Sequence, residues 1–196
     1  SVLLKPTVEP AQALNLTAYI AVAVCEGVER ATGLHLDIKW TNDLVLGTKK
    51  ICGILTELTV EAESGTVDSI VAGIGVNVRQ RPEDFPEELR DKAISVREAG
   101  AAVPRAAIAA GIITRLDDLF LRQHILSQPA ENLIGELTRR SCTIGRRVEV
   151  ISPTDQYEAL AVAIAPDAGL IVELPDGSRR TVSSGEVSVR GLLGYT

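Results

Sequence analysis

Histidine, cysteine and aromatic residues are scarce in this sequence, and their scarcity excludes several kinds of site. The 196 residues include two histidines, three cysteines and 3% aromatics. A histidine-based metal site or a Ser-His-Asp triad has little support, because His35 and His124 are isolated. Cys25, Cys52 and Cys142 have no C-x-x-C spacing. They are therefore expected to be buried small side chains in a reducing compartment, which predicts a cytoplasmic location.

Long apolar runs and a positive charge balance are also absent. The longest apolar run, residues 18–25, is far too short to span a bilayer, and no charged region with a cleavage site precedes it. The formal net charge of −6 argues against sequence-independent binding of nucleic acid by this chain. The remaining composition, 45% hydrophobic and 23% charged, is ordinary for a globular protein of one or two domains.

Hydrophobic periodicity predicts an α+β fold for the first part of the chain. A long helix is expected between Pro10 and Gly33, since proline suits a first helical turn and glycine a C-terminal cap. Alternation predicts strands over residues 36–40, 44–46, 49–59 and 66–78. Helices are expected over residues 103–125 and 129–139. These helices should cover one side of a mixed β-sheet.

The pattern changes at about residue 142. Short strands are predicted over residues 147–151, 158–165, 169–174 and 179–189, separated by turns rich in proline, aspartate and glycine. This spacing favours a small β-barrel or sandwich. We therefore expect two domains, residues 1–141 and residues 142–196. The chain opens with strand-like residues 1–4, and because a domain seldom begins inside a strand, we also expect sequence upstream of Ser1.

The segment Lys39-Trp40-Thr41-Asn42-Asp43-Leu44, followed by Lys49-Lys50-Ile51-Cys52-Gly53-Ile54-Leu55, is the most informative part of the sequence. It places two lysines, an amide, a carboxylate and a glycine within about one hairpin. Charges of both signs so close to apolar strands predict an anion-binding site. The segment resembles the K-W-P-N-D-[LI]…K-x-x-G-I-L motif of the biotin protein ligases.

Three further segments carry the same resemblance. Residues 70–77, ending Gly73-Ile74-Gly75-Val76-Asn77, look like the G-x-G-[IV]-N strand of that family, and residues 95–100 resemble its next short segment. Residues 184–190 are similar to its C-terminal SH3-like domain. Because the motifs occur in order at matching spacing, the resemblance covers nearly the whole chain.

The resemblance implies a fold and an activity. The fold is a catalytic domain like those of class II aminoacyl-tRNA synthetases and biotin ligases, followed by an SH3-like β-barrel. The activity is that of a biotin–[acetyl-CoA-carboxylase] ligase, which uses ATP and Mg²⁺ to convert biotin into biotinyl-5′-AMP. It then transfers biotin to a lysine of a biotin carboxyl carrier protein or domain.

The resemblance also implies roles for individual residues. Lys50 would be catalytic and contact both the biotin carboxylate and the phosphate, and Gly53, Ile54 and Leu55 would line the biotin pocket. The alternative for Lys50 is a solvated lysine of the hairpin, and the alternative for Gly53, Ile54 and Leu55 is an ordinary core strand. A second group would bind the nucleotide, and Asp43 would also be a candidate ligand for Mg²⁺. This group comprises Lys39, Asn42, Asp43, Gly73, Gly75, Val76, Asn77, Glu186 and Arg190.

Several residues of the nucleotide-binding group are also compatible with purely structural roles. Asn42 and Asp43 are also a common turn pair, Lys39 is as compatible with a structural role, and Glu186 with Arg190 also suits a surface salt bridge. Trp40 is expected in the core rather than against adenine.

The sequence departs from the family pattern in two ways. Thr41 replaces the usual proline, and the arginine-rich G-R-G-R-x-G-R loop is absent along with the strand before it. Both normally precede the position of Ser1, so a chain that starts there should adenylate poorly. Two other functions stay open, a lipoate-type ligase or acyltransferase and a non-catalytic binding module. Edge pairing of residues 54–59 is compatible with a homodimer.

Overall fold

A five-stranded sheet forms the framework of the first part of the chain. The computed structural model describes residues 1–5, 10–13, 16–122, 131–151, 155–183 and 186–189. The strand order is β1-β5-β4-β3-β2, and neighbouring strands pair antiparallel. Parallel pairing occurs in isolated bridges, Ile38 with Ser141 and Lys50 with Ala93. The strands are β1 Val2–Leu4, β2 Asp37–Lys39, β3 Asp43–Leu46, β4 Lys49–Val60 and β5 Val67–Val76.

Helices pack against one side of this sheet, as the periodicity predicted. They are α1 Pro10–Ala13, α2 Leu16–Thr32, α3 Arg105–Asp117 and α4 Glu131–Arg140, and a π-helical turn, Asp118–Arg122, continues α3. Most side chains of α2 are buried because they are aliphatic around much of its circumference. The predicted cap at Gly33 is confirmed, since its φ is +73° and its N–H donates to Glu29 O at 2.7 Å.

The second part of the chain is a separate antiparallel sheet in the order β10-β6-β7-β8-β9. The α+β class is confirmed, as is the change to short strands. The predicted strand over residues 179–189 is two strands, and residues 184–185 between them lie outside the described part. The boundary near residue 141 stays a prediction. The strands are β6 Arg147–Ile151, β7 Gln156–Ile164, β8 Leu170–Glu173, β9 Arg179–Val182 and β10 Glu186–Val189.

The cysteines behave as small hydrophobic side chains. Cys25 and Cys52 are buried, Cys142 is half-buried, and all three are free thiols. Burial raises the pKa of Cys25 and of Cys52 to about 12 and that of Cys142 to about 11, so they are protonated at neutral pH. Among the helices of the described residues, none has the length and apolar character needed to cross a membrane.

Candidate active site

A row of four residues crosses the face of the sheet that lies opposite the helices. Lys39 pairs with Asp43, Asp43 with Gly53, and Gly53 with Gly75. Their neighbours in the adjacent row point the other way, into the core, because side chains alternate along a strand. The strand register therefore brings the two halves of the lysine hairpin and the glycine-containing strand to one place.

Asp43 lies between two ammonium groups. Its Oδ1 is 2.5 Å from Lys50 Nζ, and its Oδ2 is 3.9 Å from Lys39 Nζ. Oδ1 is fully buried and accepts no hydrogen bond with good angular geometry, so charge attraction to Lys50 compensates its burial. One carboxylate shared by two lysines leaves the cluster with a net positive charge. Such a cluster favours an anionic ligand, and the side chain of Lys50, 40% exposed, can reach it.

Gly53 makes room for the Lys50 side chain. A Cβ at position 53 would lie 3.0 Å from Lys50 Cε and 3.1 Å from Nζ, closer than most real contacts of a Cβ. The strand pairing also shifts register between Leu44 and Val45, and Val45 is the partner of Lys50. An irregularity of this kind re-aims side chains on a strand. The glycine and the shift together place the ammonium beside Asp43.

An open cavity of about 490 Å³ adjoins this cluster. This volume is in the range of small-molecule sites. Leu55, 64% exposed, adds apolar surface to the cavity beside the cationic cluster. The combination suits a ligand with an apolar body and an acidic end. The lining residues are Asn42, Lys50, Gly53, Ile54, Leu55, Gly73, Ile74 and Gly75.

Seven of the predicted site residues line this cavity, some through the side chain and some through the backbone. Ile54 is buried and points into the core, because it alternates with Gly53 and Leu55. Asn42 is exposed at the rim, where its Nδ2 donates to Ile54 O at 3.1 Å and its carbonyl accepts from Ile54 N at 2.9 Å. Asn42 therefore ties the turn to β4 and still presents its side chain at the cavity.

Val76 and Asn77 are not at the cavity. Val76 lines a separate cavity beside α3. Asn77 Nδ2 donates to Ile94 O at 3.2 Å and to Lys50 O at 3.5 Å. The backbone of Lys50 is also fixed by the segment around Ile94, since Lys50 N donates to Lys92 O and Ile94 N donates to Lys50 O. Asn77 thus supports Lys50 from behind.

Glu186, Arg190 and the predicted magnesium ligand Asp43 are the remaining predicted site residues. Glu186 begins β10, where its backbone pairs with Ile151, but its side chain and Arg190 lie outside the described part. Asp43 is already engaged by both lysines, so it fits a magnesium ion poorly. Within the ranges that the structure describes, no group of three or more acidic, histidine or cysteine side chains is arranged to hold a metal.

The sequence missed two contributors to the site. Ile74 lines the cavity. The segment before Ser95 runs beside β4, where Ala93 bridges with Lys50, and Ser95 Oγ donates to Gln80 O at 2.7 Å at the end of this segment. Ser95 begins the motif over residues 95–100, which was the available signal for this contact. The motif gave no indication that the chain here lies beside Lys50.

Two family models match the chain. The biotin/lipoate A/B protein ligase family matches residues 1–77, and the biotin protein ligase C terminal domain matches residues 143–190. A bifunctional ligase/repressor BirA from Bacillus subtilis is 44% identical over 185 residues, which are 94% of this chain and 56% of that protein. A biotin–[acetyl-CoA-carboxylase] ligase from Mycobacterium tuberculosis is 30% identical over 151 residues, covering 76% of this chain and 52% of that protein.

A solved structure shares the fold. The biotin protein ligase from Aquifex aeolicus in complex with biotin and ATP superposes with a TM-score of 0.77 at 22% identity, over 96% of this chain and 77% of that chain. This chain spans about half the length of the sequence relatives it matches. Both family models match this one chain, and its hairpin places Lys50, Asp43 and Gly53 together. The chain therefore belongs to the biotin protein ligase family.

Proposed function

We propose that the protein containing this chain is a biotin–protein ligase. It activates biotin with ATP to biotinyl-5′-AMP and transfers biotin to a lysine of a carboxylase acceptor domain. The observation that carries the proposal is the Lys50–Asp43 ion pair, packed over Gly53 at the mouth of a partly apolar cavity. Biotin has an apolar body and a carboxylate end, which matches this arrangement.

Lys50 has the central role in the proposed reaction. A biotin carboxylate oxygen attacks the α-phosphorus of ATP, a P–O bond forms, and pyrophosphate leaves. Both reactants are anions, so their approach requires a fixed positive charge. The Lys50 ammonium supplies this charge between carboxylate and phosphate, and Asp43 holds it ready. In the second step the acceptor lysine amine attacks the acyl carbon, and AMP leaves.

The cavity divides into two proposed halves. Gly53, Ile54 and Leu55 form the biotin wall, where the glycine admits ligand close to the backbone. The nucleotide half contains Asn42, Gly73 and Gly75, and Lys39 adds charge behind Asp43. Val76 and Asn77 act one layer back, Asn77 through its bonds beneath Lys50. Glu186 and Arg190 close the nucleotide half in this proposal.

Magnesium enters the proposal as part of the nucleotide substrate. The single carboxylate of the cluster is paired with both lysines, so the phosphate oxygens of ATP and water would supply most ligands, as is usual for this ion. In this proposal Asp43 holds Lys50 in place rather than binding magnesium directly.

A homodimer and a cytoplasmic location belong to the same proposal. Strand β4 pairs with β3 only over Lys49–Gly53 but with β5 as far as Val60. In the described part of the chain, no strand covers the β3-side edge of residues 55–60, and an unpaired edge can pair with a second copy. The three free thiols suit the reducing cytoplasm.

The test is ATP-dependent transfer to a purified biotin-acceptor domain, read by intact mass, with biotin and lipoate offered separately. The proposal predicts a mass increase of one biotinyl group that requires ATP. Transfer of lipoate instead would favour the lipoate-type alternative, which the first family model also covers. Binding of biotin without any transfer by the complete protein would leave only a binding module.

A further inference from the structure

Trp40 bridges the two sheets of the molecule. It is the single tryptophan of the chain and is 4% exposed. Its indole Nε1 donates to Ala168 O at 2.9 Å, and its backbone N–H donates to Thr143 Oγ1 at 2.9 Å. Thr143 is fully buried and Ala168 is 3% exposed. Both polar groups of Trp40 that donate hydrogen bonds are therefore satisfied by residues outside the first sheet.

The acceptor at Ala168 is held in a defined turn. Ala168 has a φ of +62°, an uncommon conformation for a residue with a Cβ. Its N–H donates to Ala165 O at 2.9 Å, and Gly169 N donates to Asp167 Oδ1 at 3.0 Å. Alanine adopts this conformation only where its surroundings enforce it. The turn thus presents one carbonyl oxygen to the indole in a fixed position.

The segment around Thr143, which accepts the hydrogen bond from the Trp40 backbone, is itself attached to β2. Cys142 N donates to Ile38 O at 3.0 Å, and Ile38 forms a bridge with Ser141. The segment 141–143 therefore runs beside β2, and Thr143 reaches the residue that follows it. Three successive links join the second part of the chain to the end of β2.

The same stretch of backbone carries the lysine cluster. Trp40 directly follows Lys39 and lies two residues before Asn42, and Asp43 pairs with Lys39 and Lys50. We propose that Trp40 is a positioning residue, through which Thr143 and Ala168 fix the turn that sets Asp43 and therefore the Lys50 ammonium. This inference rests on the proposed ligase function. Because coupling between sites is reciprocal, occupation of the lysine site should in turn tighten the contact at Trp40.

Substitutions at Thr143 separate positioning from packing. Thr143→Val removes the acceptor and keeps the shape, Thr143→Ser keeps the hydroxyl, and Thr181→Val makes the same change at an exposed residue of β9. In the complete protein, Thr143→Val should lower kcat for biotinyl-adenylate formation by about 10- to 100-fold, the range for small misplacements of a catalytic group. Thr143→Ser and Thr181→Val should stay near wild type, and the KM for biotin should change less than kcat.

A double-mutant cycle with Lys50→Ala provides the decisive readout. The two hydrogen bonds of Trp40, to Thr143 and to Ala168, form a clamp on the turn. If this clamp acts through Lys50, Thr143→Val should have little further effect on the residual single-turnover rate of Lys50→Ala. The same fold-loss in both backgrounds would overturn the inference, as would a Thr143→Val enzyme with wild-type kcat. Trp40 fluorescence, from the chain's one tryptophan, should shift in Thr143→Val and confirm that the clamp has opened.

A second variant, Trp40→Phe, tests the same contact. If Thr143→Val does not fold, Trp40→Phe removes the bond to Ala168 while keeping an aromatic ring, and the same non-additivity with Lys50→Ala is expected. Additive losses there would equally contradict the clamp. A wild-type protein that forms no adenylate would refute the ligase function itself, whereas an active wild type with an indifferent Thr143→Val would refute only the positioning role.

Discussion

At the scale of single residues, the site depends on a missing side chain as much as on charged ones. The space above Gly53 is occupied by the end of the Lys50 side chain, and Asp43 Oδ1 lies just beyond, 3.8 Å from the position that a Cβ would take. Strand β4 would otherwise tolerate a larger residue here, since glycine weakens a strand. Gly53 is therefore explained by the position of Lys50 rather than by the backbone.

Substituting Gly53→Ala should separate the effect of Gly53 on the position of Lys50 from its effect on the backbone. The added methyl group pushes the Lys50 ammonium away from Asp43, so the rate of adenylate formation should fall about tenfold or more. Stability should fall by no more than about 1–3 kcal/mol, because moving Lys50 leaves the buried Asp43 Oδ1 without its compensating charge, whereas alanine suits a strand better than glycine. Gly135→Ala is the matched control, since nothing lies within 4 Å of a Cβ at that exposed helical position. Comparable rates for the two variants would contradict the explanation.

At the scale of elements, α2 and α3 cross at a pair of glycines. A Cβ at Gly111 would lie 2.6 Å from Gly27 O, and a Cβ at Gly27 would lie 2.7 Å from the backbone of Ile112. These contacts are with backbone, which cannot rotate away. The close crossing keeps α3 against α2 on the helical side of the sheet, behind the site.

The crossing predicts a loss of stability without a direct loss of chemistry. Gly111→Ala should lower the free energy of unfolding by about 1–3 kcal/mol, the usual cost of overpacking. Gly135→Ala should raise it by about 0.5–1 kcal/mol. Urea unfolding followed by circular dichroism measures both changes. Equal stabilities for the two variants would show that the helices separate easily at this point.

Helix α4 is attached to α2 by a network of charges. Arg140, 6% exposed, donates from Nη1 and Nη2 to the two carboxylate oxygens of Glu29 at 2.6 and 2.8 Å, and its Nε pairs with Glu136. Hydrogen bonds from Arg139 and Arg140 lower the pKa of Glu136 to about 2. Burial alone would raise the pKa of Glu29, but hydrogen bonds from Arg140 and the Leu36 N–H lower it.

These lowered pKa values predict the direction of an acid effect. A carboxyl group whose pKa is lower in the folded state stabilises the fold above its unfolded pKa, here near 4.5. That contribution is lost as the pH falls from about 4.5 toward 2. Urea midpoints of the wild type should therefore drop over this window, while Glu136→Gln should start lower at pH 6 and change less. Parallel curves would rule out a contribution from Glu136.

At the scale of the whole molecule, sequence alone anticipated the elements better than their contacts. The α+β class and the cap at Gly33 followed from local periodicity and turn chemistry. The pairing of Asp43 with Lys50 required the strand register, and the bonds from Trp40 to Thr143 and Ala168 span more than 100 residues. Burial of Trp40 was expected, but no local pattern encodes which distant carbonyl accepts its indole N–H. The resemblance implies a nucleotide contact for Val76, whereas strand alternation points its side chain toward the helices.

The ligase account depends most directly on one lysine. Lys49 and Lys50 are neighbours on β4, but Lys49 pairs with Glu98 at 3.9 Å, whereas Lys50 pairs with Asp43 at the cavity. The most direct measurement is therefore the rate of biotinyl-adenylate formation by the complete protein with Lys50→Ala and with Lys49→Ala. If Lys50 acts as proposed, Lys50→Ala should lower the rate at least about 100-fold, as for removal of a charge-stabilising group, and Lys49→Ala should leave it nearly unchanged. Equal rates for the two variants would contradict it.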